Sequence, residues 1–351
     1  MAVRSLQELH NHLELAIKVE LSTVPPYLYA MYSIADQKSD AALLIRSVVA
    51  EEMLHAALAA NLLLATGGEP DFRTEKAVPS FPSELPHHDP PLTLNLTPCT
   101  PEQIRNLFLV IEQPETHHVV PEEDIYDSLG QFYHAIERGI AALAASEDLF
   151  ADPQVDRQMA EHDYYAPVVF DADESGGLEP IVDIETANEA IHVIIHQGEG
   201  VSDEKWADPT HKELTHYYKF LQIADGEAPV GVLRAMPDNP RSADYPTSIR
   251  AVSDLFNAAY RYLYLLMHEI FQPTTDRQSL IGALYKTMSD VMSPVGHYLV
   301  SLPLGDGVAA PTFELYEFGD SDPKRQLAEL ANQVAGSHPE LTPVAAAIAG
   351  L

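Results

Sequence analysis

Glutamate and histidine recur together at helical spacing in two distant parts of the chain. Glu52 and His55 form the first pair, and Glu213 and His216 form the second. Residues three positions apart lie on one face of an α-helix, so both side chains of a pair can reach a common point. Carboxylates bridge and neutralise divalent cations, and imidazoles fill terminal coordination positions. The two pairs therefore predict one site for two divalent metal ions, such as iron or manganese.

A further carboxylate, Glu20, lies on the helix that comes before Glu52 and His55 in the chain. Glu20 falls between Ile17 and Val24 on the apolar stripe of that helix. Glu52 and His55 likewise fall within the apolar stripe of the next helix, and neither stripe carries Lys or Arg. Burying an unpaired carboxylate costs several kcal/mol, so a bound metal is the expected counter-charge.

A row of ionisable residues precedes Glu213, at alternating spacings of four and three positions. The row consists of Glu185, Glu189, His192, His196 and Glu199. Because Glu213 lies near the start of its own helix, the facing metal ligands are expected at the C-terminal end of the row. His196 and Glu199 are the predicted ligands, and His192 stays open as an alternative. A solvated polar face is the competing interpretation for the first two residues of the row.

Helical periodicity along the chain predicts an all-α protein. A helical hairpin is expected over about the first 70 residues, with Pro25 and Pro26 interrupting its first helix. Further helices are expected at about 101–112, 127–147, 184–198, 209–224, 248–271 and 276–302. The remaining predictions are a proline-rich irregular loop over 79–101, a short strand hairpin near 167–183, and a mostly irregular tail after 303 with one short helix near 323–335. Residues 1–225 would form a metal-binding bundle, and 226–351 a helical extension packed on it.

The composition excludes several classes of partner and location. The chain has 20 basic and 53 acidic residues among 351, and its formal charge is −33. Nucleic acids and anionic membranes bind clustered cations, so neither is an expected partner. Cys99 is the single cysteine, which excludes an intramolecular disulfide and a thiolate metal cluster. The sequence shows neither an apolar run typical of a membrane span nor a signal peptide, so a cytoplasmic location is expected.

Four segments of the chain resemble one known family. They read VELSTVPPYLYAMYSI, VVAEEMLHAALAANLLLATGGEP, AIHVIIHQGEG and THYYKFLQI. These segments are similar to the ferritin-like family that includes the iminophenyl-pyruvate dimer synthases of violacein-type and rebeccamycin-type pathways, over about residues 5–225. The resemblance implies a ferritin-like four-helix bundle core with a C-terminal helical extension. It also implies two half-sites for metal, formed by Glu20, Glu52 and His55 and by Glu199, Glu213 and His216. His196 stands where such proteins commonly carry Glu, and this departure leaves the ligand from that helix open.

Three functions are compatible with these residues. The leading hypothesis is a non-haem dinuclear iron oxidase or oxygenase, which would act on a small, amino-acid-derived organic substrate with dioxygen. The second is an enzyme like the iminophenyl-pyruvate dimer synthases that performs acid–base chemistry on an imine or enamine without metal. The third is a non-catalytic ferritin-like scaffold whose inner polar groups satisfy one another. The substrate, the metal and the oligomeric state, a homodimer included, stay open.

Overall fold

The protein is built from α-helices, and strands form only short segments of it. The computed structural model describes residues 3–74, 77–86, 88–114, 126, 128–160, 177–198 and 215–351. Two antiparallel pairs of two-residue strands occur in these ranges. They are β1 (Ser83–Glu84) with β2 (Thr93–Leu94), and β3 (Pro303–Leu304) with β4 (Gly307–Val308). The predicted all-α class is confirmed.

The longest two helices form the N-terminal hairpin. They are α1 (Leu6–Ser33) and α2 (Asp40–Ala65), and each begins with a serine whose side chain accepts a backbone N–H of the first turn. Pro25 and Pro26 lie inside α1, which is one helix from end to end, so the predicted interruption was wrong. The hairpin places the apolar stripes of α1 and α2 against each other, and Glu20, Glu52 and His55 lie in that buried contact.

Shorter helices follow in the middle of the chain. They are α3 (Pro101–Gln103), a π-helical turn (Ile104–Phe108), α4 (Leu109–Ile111), α5 (Leu129–Ala144), α6 (Ile184–Gly198) and α7 (His216–Ala224). Aromatic rings join three parts of this assembly. Tyr27 of α1 lies 4.7 Å from Phe108 and 4.9 Å from Phe220 of α7, measured between ring centroids. Most of the predicted hairpin near 167–183 lies outside the described residues, and its described part, 177–183, carries no strand.

The C-terminal part is more helical than its sequence suggested. Its helices are α8 (Thr247–Ile270), α9 (Arg277–Lys286), a π-helical turn (Thr287–Met292), α10 (Ser293–Leu299), α11 (Pro323–Ser337) and α12 (Thr342–Ala349). The tail after 303 therefore contains two helices, where one short helix was predicted. Arg234 donates to the carbonyl oxygens of Tyr32 and Ile34, which ties the chain after α7 to the end of α1.

One helix in the described ranges, α2, is long and apolar enough to cross a membrane by length and composition. In this protein 78% of its apolar window is buried inside the fold, as in the core helix of a globular protein. The apolarity of α2 is therefore explained by its central position, where it contacts α1, α6 and α7.

Candidate metal centre

Three carboxylates and two imidazoles converge in the interior of the helical assembly. They are Glu20 from α1, Glu52 and His55 from α2, Glu112 directly after α4, and His216 from α7. None of these residues is more than 2% exposed. Ligand atoms of Glu52, His55 and His216 all lie within 4.8 Å of one another. The cluster therefore places carboxylate oxygens and imidazole nitrogens around one small volume that is buried from the protein surface.

The first half of the cluster consists of Glu20 and His55. The Nδ1 atom of His55 lies 3.4 Å from Oε2 of Glu20. The other ring nitrogen, Nε2, lies 2.9 Å from the side-chain oxygen of Gln197 on α6. The hydroxyl of Tyr133 on α5 donates to Oε1 of Glu20. Each side chain of this half is thus held by an outer partner.

The second half of the cluster consists of Glu112 and His216 and has the same arrangement. The Nδ1 atom of His216 lies 3.4 Å from Oε2 of Glu112. The hydroxyl of Tyr27 donates to Oε1 of Glu112 at 2.5 Å. The Nε2 atom of His216 lies 2.9 Å from Oε2 of Glu51, which also forms an ion pair with Lys219. Both histidines therefore turn Nδ1 toward the carboxylates and Nε2 toward an outer partner.

Glu52 lies between the two halves. One of its oxygens, Oε1, is 3.0 Å from Nδ1 of His216. The other oxygen, Oε2, accepts a hydrogen bond from the hydroxyl of Thr23 at 2.9 Å. The rings of His55 and His216 stack with centroids 5.3 Å apart. This central position suits a carboxylate that contacts two cations at once.

The buried charges of the cluster are not balanced by the cluster itself. Burial and the nearby charge of Glu112 raise the pKa of Glu52 well above its ordinary value. Burial lowers the pKa of His216, but the carboxylates around it, Glu112 first, outweigh burial and raise this pKa well above its ordinary value. Both shifts favour retention of a proton, which means that the carboxylates attract positive charge into this volume.

Glu20 and Glu51 shift in the opposite direction because each has a basic neighbour. Burial raises the pKa of Glu20, but the hydrogen bond and charge of His55 outweigh it and leave the pKa below its ordinary value. Burial also raises the pKa of Glu51, while the charge of Lys219 outweighs it and lowers the pKa to about 2. Glu20 and Glu51 therefore favour the ionised form, whereas Glu52 favours the protonated form.

The residues present fit a metal centre. Among the described residues, the buried Nδ1 atom of His216 has no hydrogen-bond partner, although three carboxylates surround its ring. A divalent cation would accept its lone pair and neutralise the carboxylates at the same time. Mixed imidazole and carboxylate donors suit iron, zinc or copper better than magnesium. The cluster can thus hold metal at the position where its charge is unbalanced.

The cavity beside the cluster is small, and one of its walls is apolar. That wall comes from α5 and α6 and consists of Leu129, Gly130, Ile194, Ile195 and Gly198. The rest of the lining consists of the carboxylates and histidines of the cluster together with Tyr133. The cavity has room for a ligand of about the size of one water, and its lining combines apolar groups for contact with a few polar groups for chemistry.

The structure brings together four of the seven ligands predicted from the sequence. These four are Glu20, Glu52, His55 and His216. Glu199 and Glu213 lie outside the described residues. His196 lies half-buried near the end of α6 and is not among the residues that line the cavity, where α6 contributes its neighbours Ile194, Ile195 and Gly198.

The start of the predicted row on α6 is solvent-exposed. Glu185, Glu189 and His192 are all exposed, and Nε2 of His192 lies 3.3 Å from Oε1 of Glu137 on α5. The competing interpretation of a solvated polar face therefore describes Glu185 and Glu189. His192, which the sequence left open as a ligand, lies at the surface beside Glu137.

Sequence reasoning missed Glu112, Gln197, Glu51 and Lys219. The sequence contains a signal for the burial of Glu112, because Ile104, Phe108 and Glu112 follow one another at intervals of four positions. In a regular α-helix, the eight steps from Ile104 to Glu112 would turn the side chain of Glu112 about 80° away from the face that carries Ile104. The π-helical turn accommodates one extra residue and returns Glu112 to the buried face. The stripe is visible in the sequence, but the wider turn that completes it is not.

Together the helical fold and the buried carboxylate–histidine cluster define a helical-bundle protein with an internal cluster that could hold a metal ion. The family model described as ferritin-like matches residues 13–225, and the chain belongs to this family. The crystal structure of a ferritin-like protein from Caulobacter vibrioides is similar, with a TM-score of 0.60 and 23% sequence identity. The match covers 82% of this chain and 96% of that chain, and at this identity it supports the fold alone. No curated protein matches the chain.

Proposed function

We propose that the protein is a non-haem dinuclear metal oxidase or oxygenase that acts on a small organic substrate, with iron as its metal. The observation that carries the proposal is the duplicated arrangement of a buried carboxylate and a histidine Nδ1 on either side of Glu52. Dinuclear carboxylate proteins take one Glu from each of two helices and a Glu-x-x-His pair from each of two others. Glu20 and Glu112 match the single carboxylates, and Glu52 with His55 matches one pair.

Glu213 and His216 complete the proposed ligand set as the second Glu-x-x-His pair. In this assignment Glu112 takes the role that the sequence gave to Glu199. Glu20 and His55 would hold one ion, Glu112 and His216 would hold the other, and Glu52 and Glu213 would contact both. Two bound iron ions supply the activation of dioxygen, which protein side chains cannot perform alone.

The chain's own residues position the ligands and exclude water. Tyr133 and Tyr27 donate hydrogen bonds to Glu20 and Glu112, which leaves the second oxygen of each carboxylate directed at a histidine. Thr23 holds Glu52 in the same way. Because each group is fixed by packing and hydrogen bonds, little reorganisation is needed when the site is loaded.

The substrate is proposed to be small and partly apolar because Leu129, Ile194, Ile195 and two glycines contribute to the lining of the cavity. The narrower resemblance to iminophenyl-pyruvate dimer synthases favours an amino-acid-derived molecule. Dioxygen as a co-substrate and a cytoplasmic location belong to the same proposal.

The proposal is tested by loading metal-free protein with ferrous iron under anaerobic conditions and then adding dioxygen. We expect about two iron ions per chain and consumption of dioxygen that depends on the bound iron. Glu52→Ala should abolish both, and the matched surface variant Glu137→Ala should change neither. Turnover of an imine substrate by metal-free protein without dioxygen would contradict the proposal and favour acid–base chemistry.

A further inference from the structure

The two histidines of the cluster differ in what their outer ring nitrogens contact. Nε2 of His55 meets the neutral amide of Gln197 at 2.9 Å. Nε2 of His216 meets the carboxylate of Glu51, also at 2.9 Å. Each inner nitrogen lies 3.4 Å from a carboxylate, and Nδ1 of His216 also lies 3.0 Å from Oε1 of Glu52. The outer contact is a second difference between the two halves.

We propose that Glu51 and Lys219 are positioning residues that make the His216 half the tighter of two unequal metal sites. The inference rests on the metal centre of the proposed function and adds which half binds first and why. Its basis is the chain of contacts from Lys219 to Glu51 to Nε2 of His216.

A carboxylate partner changes a histidine more than an amide partner does. When Nε2–H donates to a carboxylate, the bond is charge-assisted, and it keeps the proton on Nε2 so that Nδ1 carries the lone pair. The same bond increases the electron density that Nδ1 can donate to a metal. An amide oxygen provides the orientation but much less of the electronic effect. His216 is therefore the stronger donor of the two histidines.

Lys219 holds Glu51 in position for this contact. Lys219 is only 2% exposed, whereas the side chain of Glu51 is 22% exposed. A carboxylate at the edge of the solvent can rotate outward unless a buried cation retains it. Lys219 follows His216 by three positions on α7, so one helix supplies both the histidine and the cation that fixes its partner.

Glu51 and Glu52 are consecutive residues of α2 with different tasks. Because adjacent residues on a helix point about 100° apart, Glu52 is directed into the cluster and Glu51 toward α7. The ion pair therefore links α2 and α7 at the position where both contribute a metal ligand. A purely structural link between these helices would give the same contact, and the test must separate the two roles.

The double variant Glu51→Gln with Lys219→Met makes the outer contact of His216 similar to that of His55 and leaves no unpaired charge. The probe is cobalt(II), titrated into metal-free protein and followed by its visible absorption. We expect the wild type to show two separate affinities. The variant should weaken the tighter one by about tenfold to a hundredfold and leave the weaker one unchanged.

The reciprocal variant Gln197→Glu should tighten the weaker cobalt affinity, because it gives His55 a carboxylate partner. It also keeps the inference testable if the double variant folds poorly, which circular dichroism of the metal-free proteins would show. Glu69→Gln is the matched control, since it breaks the ion pair with Arg157 away from the cluster and should leave both cobalt affinities unchanged.

Two results would overturn the inference, and one of them would overturn the proposed metal centre as well. Two unchanged cobalt affinities in the folded double variant would assign a purely structural role to the ion pair and leave the proposed function standing. Absence of cobalt binding by the wild type would overturn the metal centre and this inference together.

Discussion

The two halves of the cluster share the same carboxylate, histidine and tyrosine contacts, but they are built from different parts of the chain. In each half a buried carboxylate faces a histidine Nδ1 and accepts a hydrogen bond from a tyrosine. The first half comes from α1 and α2, which have 28 and 26 residues. The second comes from a π-containing segment and from α7, which has nine residues in the described range. Equivalent chemistry is thus encoded once by long regular helices and once by short irregular ones.

The two halves should respond alike to some substitutions and differently to others. Ligand and tyrosine substitutions in one half should have the same consequences as those in the other. Substitutions of the outer partners, Gln197 and Glu51, should not.

The largest effect is expected from Glu52, because it lies between the halves. Glu52→Ala should reduce the iron content from about two ions per chain to nearly none, measured by elemental analysis of reconstituted protein. Glu137→Ala on α5 is the control, since Glu137 contacts His134 and His192 rather than the cluster. Iron content equal to wild type in Glu52→Ala would refute the central position of this carboxylate.

Removal of one outer carboxylate should affect one half only. Glu20→Ala and Glu112→Ala are each expected to retain about one of two iron ions, because the ligands of the other half remain. The iron content of Glu199→Ala should be measured in the same way. It compares Glu199, the ligand predicted from the sequence, with Glu112, the carboxylate found in the cluster. Loss of iron in Glu199→Ala with full retention in Glu112→Ala would show that Glu112 is not the ligand.

Metal binding should weaken as the pH falls. The pKa values of His216 and Glu52 are raised in the metal-free protein, so both groups hold protons that a metal must displace. The cobalt affinity should fall by about tenfold per pH unit for each displaced proton, over the range below the raised pKa of His216. Titration in weakly buffered solution measures the proton release directly, and binding without proton release would contradict the assignment of these two groups.

The smallest effects are expected from the tyrosines. Tyr133→Phe and Tyr27→Phe each remove a hydroxyl that donates to a buried carboxylate, and each should lower the free energy of unfolding of metal-free protein by about 1–3 kcal/mol. Denaturant titration should give similar values for the two variants because the halves are equivalent at this position. Tyr260→Phe is the control with a neutral partner, the hydroxyl of Tyr264, and should cost less. A loss confined to one of the two variants would break the equivalence.

The half built from long helices could be predicted from the sequence, because Glu20, Glu52 and His55 interrupt regular apolar stripes. A carboxylate on such a stripe has to be buried, and its burial requires a counter-charge. The other half could be predicted only in part. Glu112 reaches the interior through a π-helical turn, and sequence periodicity assumes a regular helix.

The outer partners could not be predicted, since tertiary packing alone brings Gln197 to His55 and Lys219 to Glu51. Lysine on a nine-residue helix is normally a surface residue. The prediction for the two prolines of α1 was also wrong. Local rules predict an interruption there, but packing along the whole hairpin keeps the helix continuous. In each case tertiary contacts outweighed the local preference.

The most direct test of the account is an anomalous difference map at the iron edge from a crystal of iron-loaded protein. We expect two peaks, one beside Glu20 and His55 and one beside Glu112 and His216, with Glu52 in contact with both. A single peak, or a peak coordinated by His196 in place of Glu112, would contradict the duplicated arrangement on which the proposed function rests.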